Sequence, residues 1–209
     1  MARRGDQLRE HILWTAKDVF LEMGYERTSM DVVAARAETS KRSLYAHFES
    51  KERLFGDVVG LVRELNLGHL RTPAAYGADP AEAVVRFCGR FLQMQLWDSA
   101  LRTLRIGIAE AERLPEAAAA YHEAIFETPQ RRLADYLVEQ YGLDEESGHE
   151  IARRLIGRAV YPQLIRSLLG VDAPLAGRPD ETTLADDVDL ESLRAAVAAL
   201  LPPAVGHAK

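Results

Sequence analysis

The sequence predicts an all-α fold of about nine helices. Over most of the 209 residues, apolar side chains recur at intervals of three and four, the spacing of one face of a helix. Proline and glycine separate these stretches, and no strand-like alternation of useful length lies between them. The hydrophobic content of 47% and charged content of 28% are ordinary for a globular protein. A chain of this length can bury a sizeable core.

Glycine and hydroxyl side chains mark the limits of the first four predicted helices. Gly24 ends the first, because glycine accepts the left-handed backbone that follows a helix end. Thr28 and Ser29 are both suitable caps for the second helix, and Asp31 places favourable negative charge in its first turn. Thr39 or Ser40 caps the third helix, which ends near Phe48. Ser50 caps the fourth helix, which ends near Leu70.

Prolines divide the middle of the chain. Pro80 opens the fifth helix, and the sixth runs over about 99–113. Pro115 suits the first turn of a seventh helix, which Pro129 breaks or restarts and Gly142 ends.

A loop separates the last two predicted helices. The eighth helix spans about 145–169, with a kink at Pro162 and an end at Gly170. Residues 171–185 are rich in Pro, Gly, Asp and Thr and predict a loop. The ninth helix is capped by Asp186 or Asp187 and ended by Pro202 and Pro203.

Several classes of protein find no support in the sequence. No apolar run approaches the roughly 18 residues of a membrane span, and the first residues lack the apolar core of a secretory signal, so we expect a cytoplasmic protein without a membrane partner. Cys88 is the only cysteine; we expect a small buried hydrophobe in a reducing cytosol. No cofactor is expected and no metal site, because glycine-rich phosphate loops and His/Cys ligand spacings are missing.

The charge is unevenly distributed. The net charge is −6, yet residues 1–55 hold ten Lys/Arg against nine Asp/Glu, or +1. The remaining residues hold sixteen against twenty-three, or −7. Binding to nucleic acid depends on the local charge of one face, so the acidic total does not exclude it.

Residues 28–51 predict two short helices separated by a tight turn. In the second, Leu44 and Phe48 are apolar anchors, while basic and hydroxyl side chains occupy the opposite side. Such a helix fits the major groove of DNA while the preceding helix braces it. Arg42 suits bidentate contact with guanine, although it could equally bind a phosphate. The expected DNA contacts are Lys41, Arg42 and Ser43 at base edges, Thr39, Tyr45, His47 and Lys51 at the backbone, and Ser40 and Thr28 at the starts of the two helices.

Two other functions remain open on the residues alone. Glu110, Glu112 and His122 can be imagined as an acid–base set of an enzyme, although carboxylates on a helix surface explain them more simply. A helical adaptor could bind other proteins through its acidic part. Neither alternative predicts sequence-selective, salt-sensitive DNA binding.

The segment ETSKRSLYAHFESKERLF resembles the recognition segment of TetR-family transcriptional regulators. The matches in register are Ser40, Lys41, Leu44, Tyr45, His47, Phe48, Lys51 and Glu52, preceded by Phe20, Gly24, Tyr25, Thr28, Val33, Ala34 and Ala37. The resemblance covers about the first 55 residues. Residues 108–127 also resemble the junction of the sixth and seventh helices in one branch of the family, over a shorter stretch.

One position departs from the family pattern. The usual glycine of the turn is Glu38 here. If the turn keeps its left-handed backbone, glutamate loses about 1 kcal/mol or more relative to glycine. Its carboxylate would also lie near DNA, where it could repel phosphate or accept a hydrogen bond from cytosine.

The resemblance implies a helix-turn-helix DNA-binding domain of three helices over residues 1–50 and a larger helical domain over 51–209 for effector binding and dimerisation. It implies a ligand-responsive dimer, most simply a repressor that a small apolar effector releases from a palindromic operator. An apolar pocket with a few polar groups is expected for the effector. Its candidate residues are Phe87, Phe91, Met94, Trp97, Leu101, Leu104, Ile108, Tyr121, His122, Phe126, Arg158 and Tyr161.

Dimerisation also has a physical argument. One recognition helix reads few base pairs, whereas two related by a two-fold axis read a palindrome. The apolar stripes of the last two helices are the expected interface, with packing inside one subunit as the alternative. The expected residues are Ile151, Leu155, Ala159, Ile165, Leu168, Val188, Leu193, Val197 and Leu200.

Overall fold

The computed structural model describes residues 2–175 and 188–202, which fold as α-helices joined by short turns. The helices are α1 Ala2–Arg27, α2 Met30–Arg36, α3 Lys41–His47, α4 Lys51–His69, α5 Pro80–Leu96, α6 Asp98–Ala109, α7 Pro115–His122, α8 Thr128–Tyr141, α9 Glu145–Leu168 and α10 Leu190–Leu200. A 3-10 turn covers Pro73–Tyr76, and a π-helical turn, Glu123–Glu127, joins α7 to α8. Within these ranges there is no strand, so the predicted all-α class is confirmed.

The predicted caps explain where most helices begin. Ser29, not Thr28, caps α2, and its hydroxyl accepts from the amide of Val32. Ser40 caps α3 in the same way, and Ser50 accepts from an amide in the first turn of α4. Asp79 caps α5, with Pro80 in the first turn.

Glycines end helices as predicted. Gly24 has φ 77° and ψ 169°, which are not helical values, so α1 is kinked at this residue. Gly142 takes the left-handed conformation after α8, and Gly170, with φ 74°, follows α9.

Three predicted limits differ from the structure. The sixth helix ends at Ala109 rather than near residue 113, because the chain turns back over residues 110–114. The break predicted at Pro129 takes the form of the π-helical turn just before it; proline lacks the amide that a regular helix needs there. Asp186 and Asp187 lie outside the described residues, and the cap of the last helix is Asp189, which accepts from Ser192.

The chain divides into two compact units. The first comprises residues 1–65 and 102–122, and the second comprises residues 66–101 and 123–209. The first unit extends beyond the 1–50 segment expected from the sequence, because parts of α4, α6 and α7 pack around α1. As a functional division, the boundary at residue 50 stays a prediction.

The first unit has an apolar core shared by α1 to α4. Phe20, Leu44, Phe48 and Leu54 are all fully buried. An aromatic cluster lies beside it, in which the Phe55 ring meets Phe20 edge to face with centroids 5.1 Å apart. Burying side chains of this size is worth about 1.5–3 kcal/mol each, so this core fixes the positions of α2 and α3.

The second unit is built around α5. Nearly every residue of α5 from Ala83 to Leu96 is buried, because the helix packs against α9, α10 and the 3-10 turn. α8 and α9 approach each other closely at Gly148, where an added Cβ would lie 2.6 Å from a methyl group of Val138. None of the described helices is long and apolar enough to cross a membrane.

Candidate DNA-binding surface

The turn between α2 and α3 is a closed helix-end motif. The amide of Glu38 donates to the carbonyl of Ala35 at 3.2 Å, and the amide of Thr39 donates to that of Ala34 at 3.0 Å. This pair of bonds is the Schellman arrangement, which needs a left-handed residue after the helix. Glu38 is that residue, with φ 49°, the one positive φ among the described residues other than glycine. The turn therefore has the left-handed backbone at Glu38 that the family pattern implies.

α3 presents a polar face on an apolar base. Leu44 and Phe48 are fully buried and hold the helix against the core. Lys41, Arg42 and Tyr45 point to solvent, Tyr45 with 49% of its surface exposed. This side chain set can reach a nucleic acid without disturbing the core.

Not every predicted contact on α3 is free in the unbound protein. The Nζ of Lys41 forms an ion pair with Asp31 at 2.6 Å. The hydroxyl of Ser40 accepts from the amide of Ser43 at 3.1 Å, so it is occupied by the cap. Thr39, Ser43 and His47 are partly exposed. Arg42 has no hydrogen-bond or ion-pair partner among the described residues, so of the two cations of α3 it is the more available to a ligand.

Two expected DNA contacts have structural roles in the folded chain. The side chain of Thr28 is 2% exposed, and its hydroxyl donates to the carbonyl of Gly24 at 2.7 Å. The Nζ of Lys51 donates to the carbonyls of Tyr25 at 3.1 Å and Thr28 at 3.0 Å. Both side chains therefore hold the α1–α2 turn. In the DNA-free chain the polar atoms of both side chains are engaged in this turn, so contact of Thr28 and Lys51 with DNA stays a prediction.

Tyr25 is the centre of that turn. Its ring is 1% exposed, and the Nζ of Lys51 lies 4.2 Å from the ring centroid. The hydroxyl donates to Glu52 at 3.0 Å. Burial, with the neighbouring Glu52 carboxylate, raises the pKa of Tyr25 to about 12. The Cζ of Arg113 lies 4.9 Å from the same ring, a contact that sequence spacing could not reveal.

Other basic side chains around the segment are balanced by carboxylates. Arg36 pairs with Glu22 at 2.9 Å, and this hydrogen-bonded cation lowers the pKa of the Glu22 carboxyl. Arg9 pairs with Asp57 at 2.6 Å and lies over the ring of Phe48. Arg36 and Arg9 thus differ from Arg42, which has no carboxylate partner among the described residues.

The residues expected at the effector pocket lie in different environments. On α5, Phe87, Phe91 and Met94 are buried, as are Leu101 and Tyr121 elsewhere. The partly exposed members are Trp97, Leu104 and Phe126, and the exposed members are Ile108, His122, Arg158 and Tyr161. Arg158 and Tyr161 are exposed on α9, away from the buried members of this set, and their part in effector binding stays a prediction.

A small apolar cavity lies inside the first unit. Side chains of α1, α4, α6 and α7 line it, and Tyr121 is the one expected effector residue among them. Its volume is about 20 Å³, room for little more than one water molecule. An effector at this point would have to widen it.

The second unit also contains polar residues that sequence reasoning missed. Arg90 and Gln93 are 2% and 3% exposed, and Arg90 donates to the side-chain oxygen of Gln93 at 3.0 Å. They lie on α5 among Phe87, Phe91 and Met94. The only signal in the sequence was a cation within an apolar helix. Among the described residues, no cluster of three or more His, Cys, Asp or Glu side chains could hold a metal ion.

Most of the expected dimer residues face the core of their own chain. These are Leu155, Ala159, Val188, Leu193 and Val197, each at most 9% exposed. A side chain buried within one chain has little apolar surface left for a partner, which favours the alternative of packing inside one subunit for these five residues; their part in a dimer stays a prediction. Ile151, Leu168 and Leu200 are partly exposed, and Ile165 is 38% exposed.

Comparison with known proteins agrees with the fold. The family model for bacterial regulatory proteins of the TetR family matches residues 12–58, and that for the C-terminal domain of AefR-like transcriptional repressors matches residues 82–143. The regulator QacR of Staphylococcus aureus is 37% identical over 54 residues, 26% of this chain and 29% of QacR. The repressor DhaR of a Mycobacterium species is 42% identical over 52 residues, 25% of this chain and 26% of DhaR. The chain thus matches less than a third of the length of these relatives.

Solved structures resemble nearly the whole chain. A TetR-family regulator of Mesorhizobium loti has a TM-score of 0.76 at 23% identity, covering 94% of this chain and 96% of the other. The flavonoid-responsive regulator FrrA has a TM-score of 0.74 at 25% identity, covering 97% of this chain and all of the other. With a matching helix-turn-helix segment, a matching C-terminal domain and this fold, the chain belongs to the TetR family of transcriptional regulators, whose members are not enzymes.

Proposed function

We propose that this protein is a dimeric, ligand-responsive repressor that binds a palindromic operator through α3. The observation that carries the proposal is the exposed face of Lys41, Arg42 and Tyr45 on a helix anchored by two fully buried side chains. A transcriptional regulator of this kind would act in the cytoplasm, on the operator DNA.

The side chains of α3 divide into two roles. Arg42, near the N-terminus of α3 and without a carboxylate partner, is suited to the paired acceptors of guanine. We assign Lys41 to a phosphate rather than to the base edge expected from the sequence, because its ammonium group is a point charge without the planar fork of arginine. To bind there, Lys41 must give up its ion pair with Asp31. That exchange costs little, because an ion pair between two exposed side chains is worth at most about 1 kcal/mol.

The dimer would form through the outward face of α9. Tyr161 and Leu169 are 67% and 76% exposed, and Ile165 lies between them at helical spacing. On α10, the exposed positions Ala195, Ala198 and Ala199 are small enough to allow close packing of another helix. Large apolar side chains exposed together on one helix are typical of a protein interface. Two copies related by a two-fold axis would then read two half-sites.

The effector would be a small, mostly apolar molecule with at least one hydrogen-bond acceptor. Phe87, Phe91 and Met94 supply apolar surface on α5, and Arg90 supplies a donor among them. The similarity to FrrA makes a flavonoid a reasonable first compound to test. An effector releases the operator only if it binds the DNA-incompetent state more tightly than the competent one.

Selection of duplexes from a random pool tests the DNA-binding part. We expect a palindrome with half-sites about one helical turn apart, and affinity that falls steeply with rising salt. Arg42→Ala should change the selected sequence, whereas Lys41→Ala should weaken all sequences alike and reduce the salt slope by about one. Failure of the wild-type chain to enrich any duplex would exclude the proposal. A titration of the bound duplex with a flavonoid then tests release.

A further inference from the structure

The turn between α1 and α2 depends on contacts from distant parts of the chain. Gly24, with φ 77°, redirects the backbone, and Tyr25 follows it into the core. The Tyr25 ring stacks on Phe20 with centroids 5.9 Å apart and meets Phe55 edge to face at 5.1 Å. α2 begins at Met30, so the turn fixes the direction of α2 and, through the closed α2–α3 turn, that of α3.

Arg113 lies at the contact between the α6–α7 turn and the α1–α2 turn. It lies between α6 and α7, in a turn where the amides of Arg113 and Leu114 both donate to the carbonyl of Glu110, at 3.0 and 2.8 Å. The guanidinium lies over the Tyr25 ring, with Cζ 4.9 Å from the centroid. Its Nη1 is 3.4 Å from a carboxylate oxygen of Glu26 and 3.6 Å from one of Glu110.

The Tyr25 ring and the carboxylates of Glu26 and Glu110 together favour one position of the Arg113 guanidinium. The Glu110 residue is 8% exposed, and a carboxylate removed from water needs a cation or hydrogen-bond donors nearby. The Arg113 side chain is still 47% exposed, so each contact by itself is weak. Together they favour one arrangement, since a single planar group reaches the ring and both carboxylates only when the two turns lie side by side.

We propose that Arg113 is a positioning residue for operator recognition. It ties the α6–α7 turn to the α1–α2 turn and so holds α2 and α3 in their DNA-competent orientation, without touching DNA itself. The proposal rests on the proposed function only where operator affinity is concerned; the ordering of the turn is independent of it.

Three variants of the full chain test this role. Arg113→Ala removes every contact, and Arg113→Lys keeps the charge but loses the planar group that spans ring and carboxylates. Arg63→Ala removes an equal charge from an exposed position on α4 and serves as the control. Two quantities are compared: hydrogen exchange of the Thr28 amide, which donates to the Tyr25 carbonyl at 3.2 Å, and affinity for a duplex that the wild-type chain selects from a random pool.

We expect Arg113→Ala to speed exchange at Thr28 by about five- to tenfold and to weaken duplex binding by a similar factor, the scale of one cation–ring contact with its ion pairs. The salt slope should stay that of the wild type. Arg113→Lys should show smaller changes in Thr28 exchange and duplex affinity than Arg113→Ala. Arg63→Ala should change neither quantity by more than about twofold.

Other results would overturn the proposal. A salt slope reduced by about one would make Arg113 a phosphate contact. Unchanged exchange at Thr28 in Arg113→Ala would show that the turn does not depend on the guanidinium. If the wild-type chain selects no duplex, the proposed function fails, and the exchange comparison still decides whether Arg113 orders the turn.

Discussion

Glu38 carries the clearest strain in the described part of the chain. Its backbone has φ 49° in the turn that precedes α3, where glycine would meet no steric penalty. Two backbone hydrogen bonds close this turn and hold Glu38 in that conformation. The side chain is exposed, so the carboxylate contributes no packing to compensate.

Replacing Glu38 by glycine should therefore stabilise the protein. We expect Glu38→Gly to raise the free energy of unfolding by about 1 kcal/mol, and operator affinity to stay the same or increase. Glu38→Ala is the matched control, since it removes the carboxylate and keeps the strain. Urea denaturation and a gel-shift titration measure the two quantities. Equal stabilisation by alanine and glycine would assign the effect to charge, and a large loss of affinity in Glu38→Gly would contradict the prediction.

Sequence reasoning succeeded at residues whose role is local. Ser40, Gly142 and Gly170 have the roles that their own helix ends require, and neighbours in sequence determine those roles. It did not reveal the intramolecular partners of Thr28 and Lys51, because these depend on how the chain folds back. A lysine beside a recognition helix has the same local pattern whether it binds phosphate or three carbonyls of its own chain.

At the scale of helices, replacing two glycines by alanine should change the stability of the protein in opposite directions. Gly107 lies within α6, where an added Cβ would meet the Tyr121 ring at 3.8 Å, an ordinary contact beside the apolar cavity. Gly148 lies within α9, where a Cβ would come within 2.6 Å of Val138 and 3.3 Å of the carbonyl of Ala134.

We expect Gly107→Ala to stabilise the protein by about 1 kcal/mol, through helix propensity. Gly148→Ala should destabilise it by about 1–3 kcal/mol, because α8 and α9 must move apart. Denaturation curves of both variants give the comparison. Adding Val138→Ala should restore part of the loss in Gly148→Ala, and a lack of any restoration would show that the Val138 methyl is not the obstacle.

The helices themselves were largely predictable, and the partner of each apolar stripe was not. Periodicity shows that α9 and α10 each have an apolar side, but not whether that side faces the same chain or another. Leu155 and Leu193 are buried within the chain, whereas Tyr161 on α9 and Leu169, the C-cap of that helix, are exposed. The contact between Arg113 and Glu26 joins residues 87 positions apart, a separation that no local pattern reports.

For the whole molecule, the exposed face of α9 predicts how dimerisation can be lost. A carboxylate at Tyr161 would have to be desolvated at the proposed interface, so Tyr161→Glu should convert a dimer to a monomer. Ile108→Glu, at an exposed apolar position on α6, is the control and should leave the dimer intact. Sedimentation velocity distinguishes the two states. A dimeric Tyr161→Glu variant would place the interface elsewhere.

Cys88 reports on opening of the second unit. Burial raises the pKa of its thiol to about 12, so the folded state favours the neutral form. This contribution to stability is complete below the unfolded pKa, near 8.5, and is lost as the pH rises through 12. At pH 8 we expect a disulfide reagent to label the native thiol about a thousandfold or more slowly than the thiol in denaturant. Rapid labelling of native protein would show that α5 is accessible.

The turn residue Glu38 also has a genetic consequence. Glutamate codons become glycine codons by one A-to-G change at the second base, so the unstrained form of the turn is a single transition away. A library of single-nucleotide variants, grown under selection for repression at raised temperature, samples that change directly. Its enrichment or depletion would reveal whether heat tolerance or choice of operator limits this regulator in living cells.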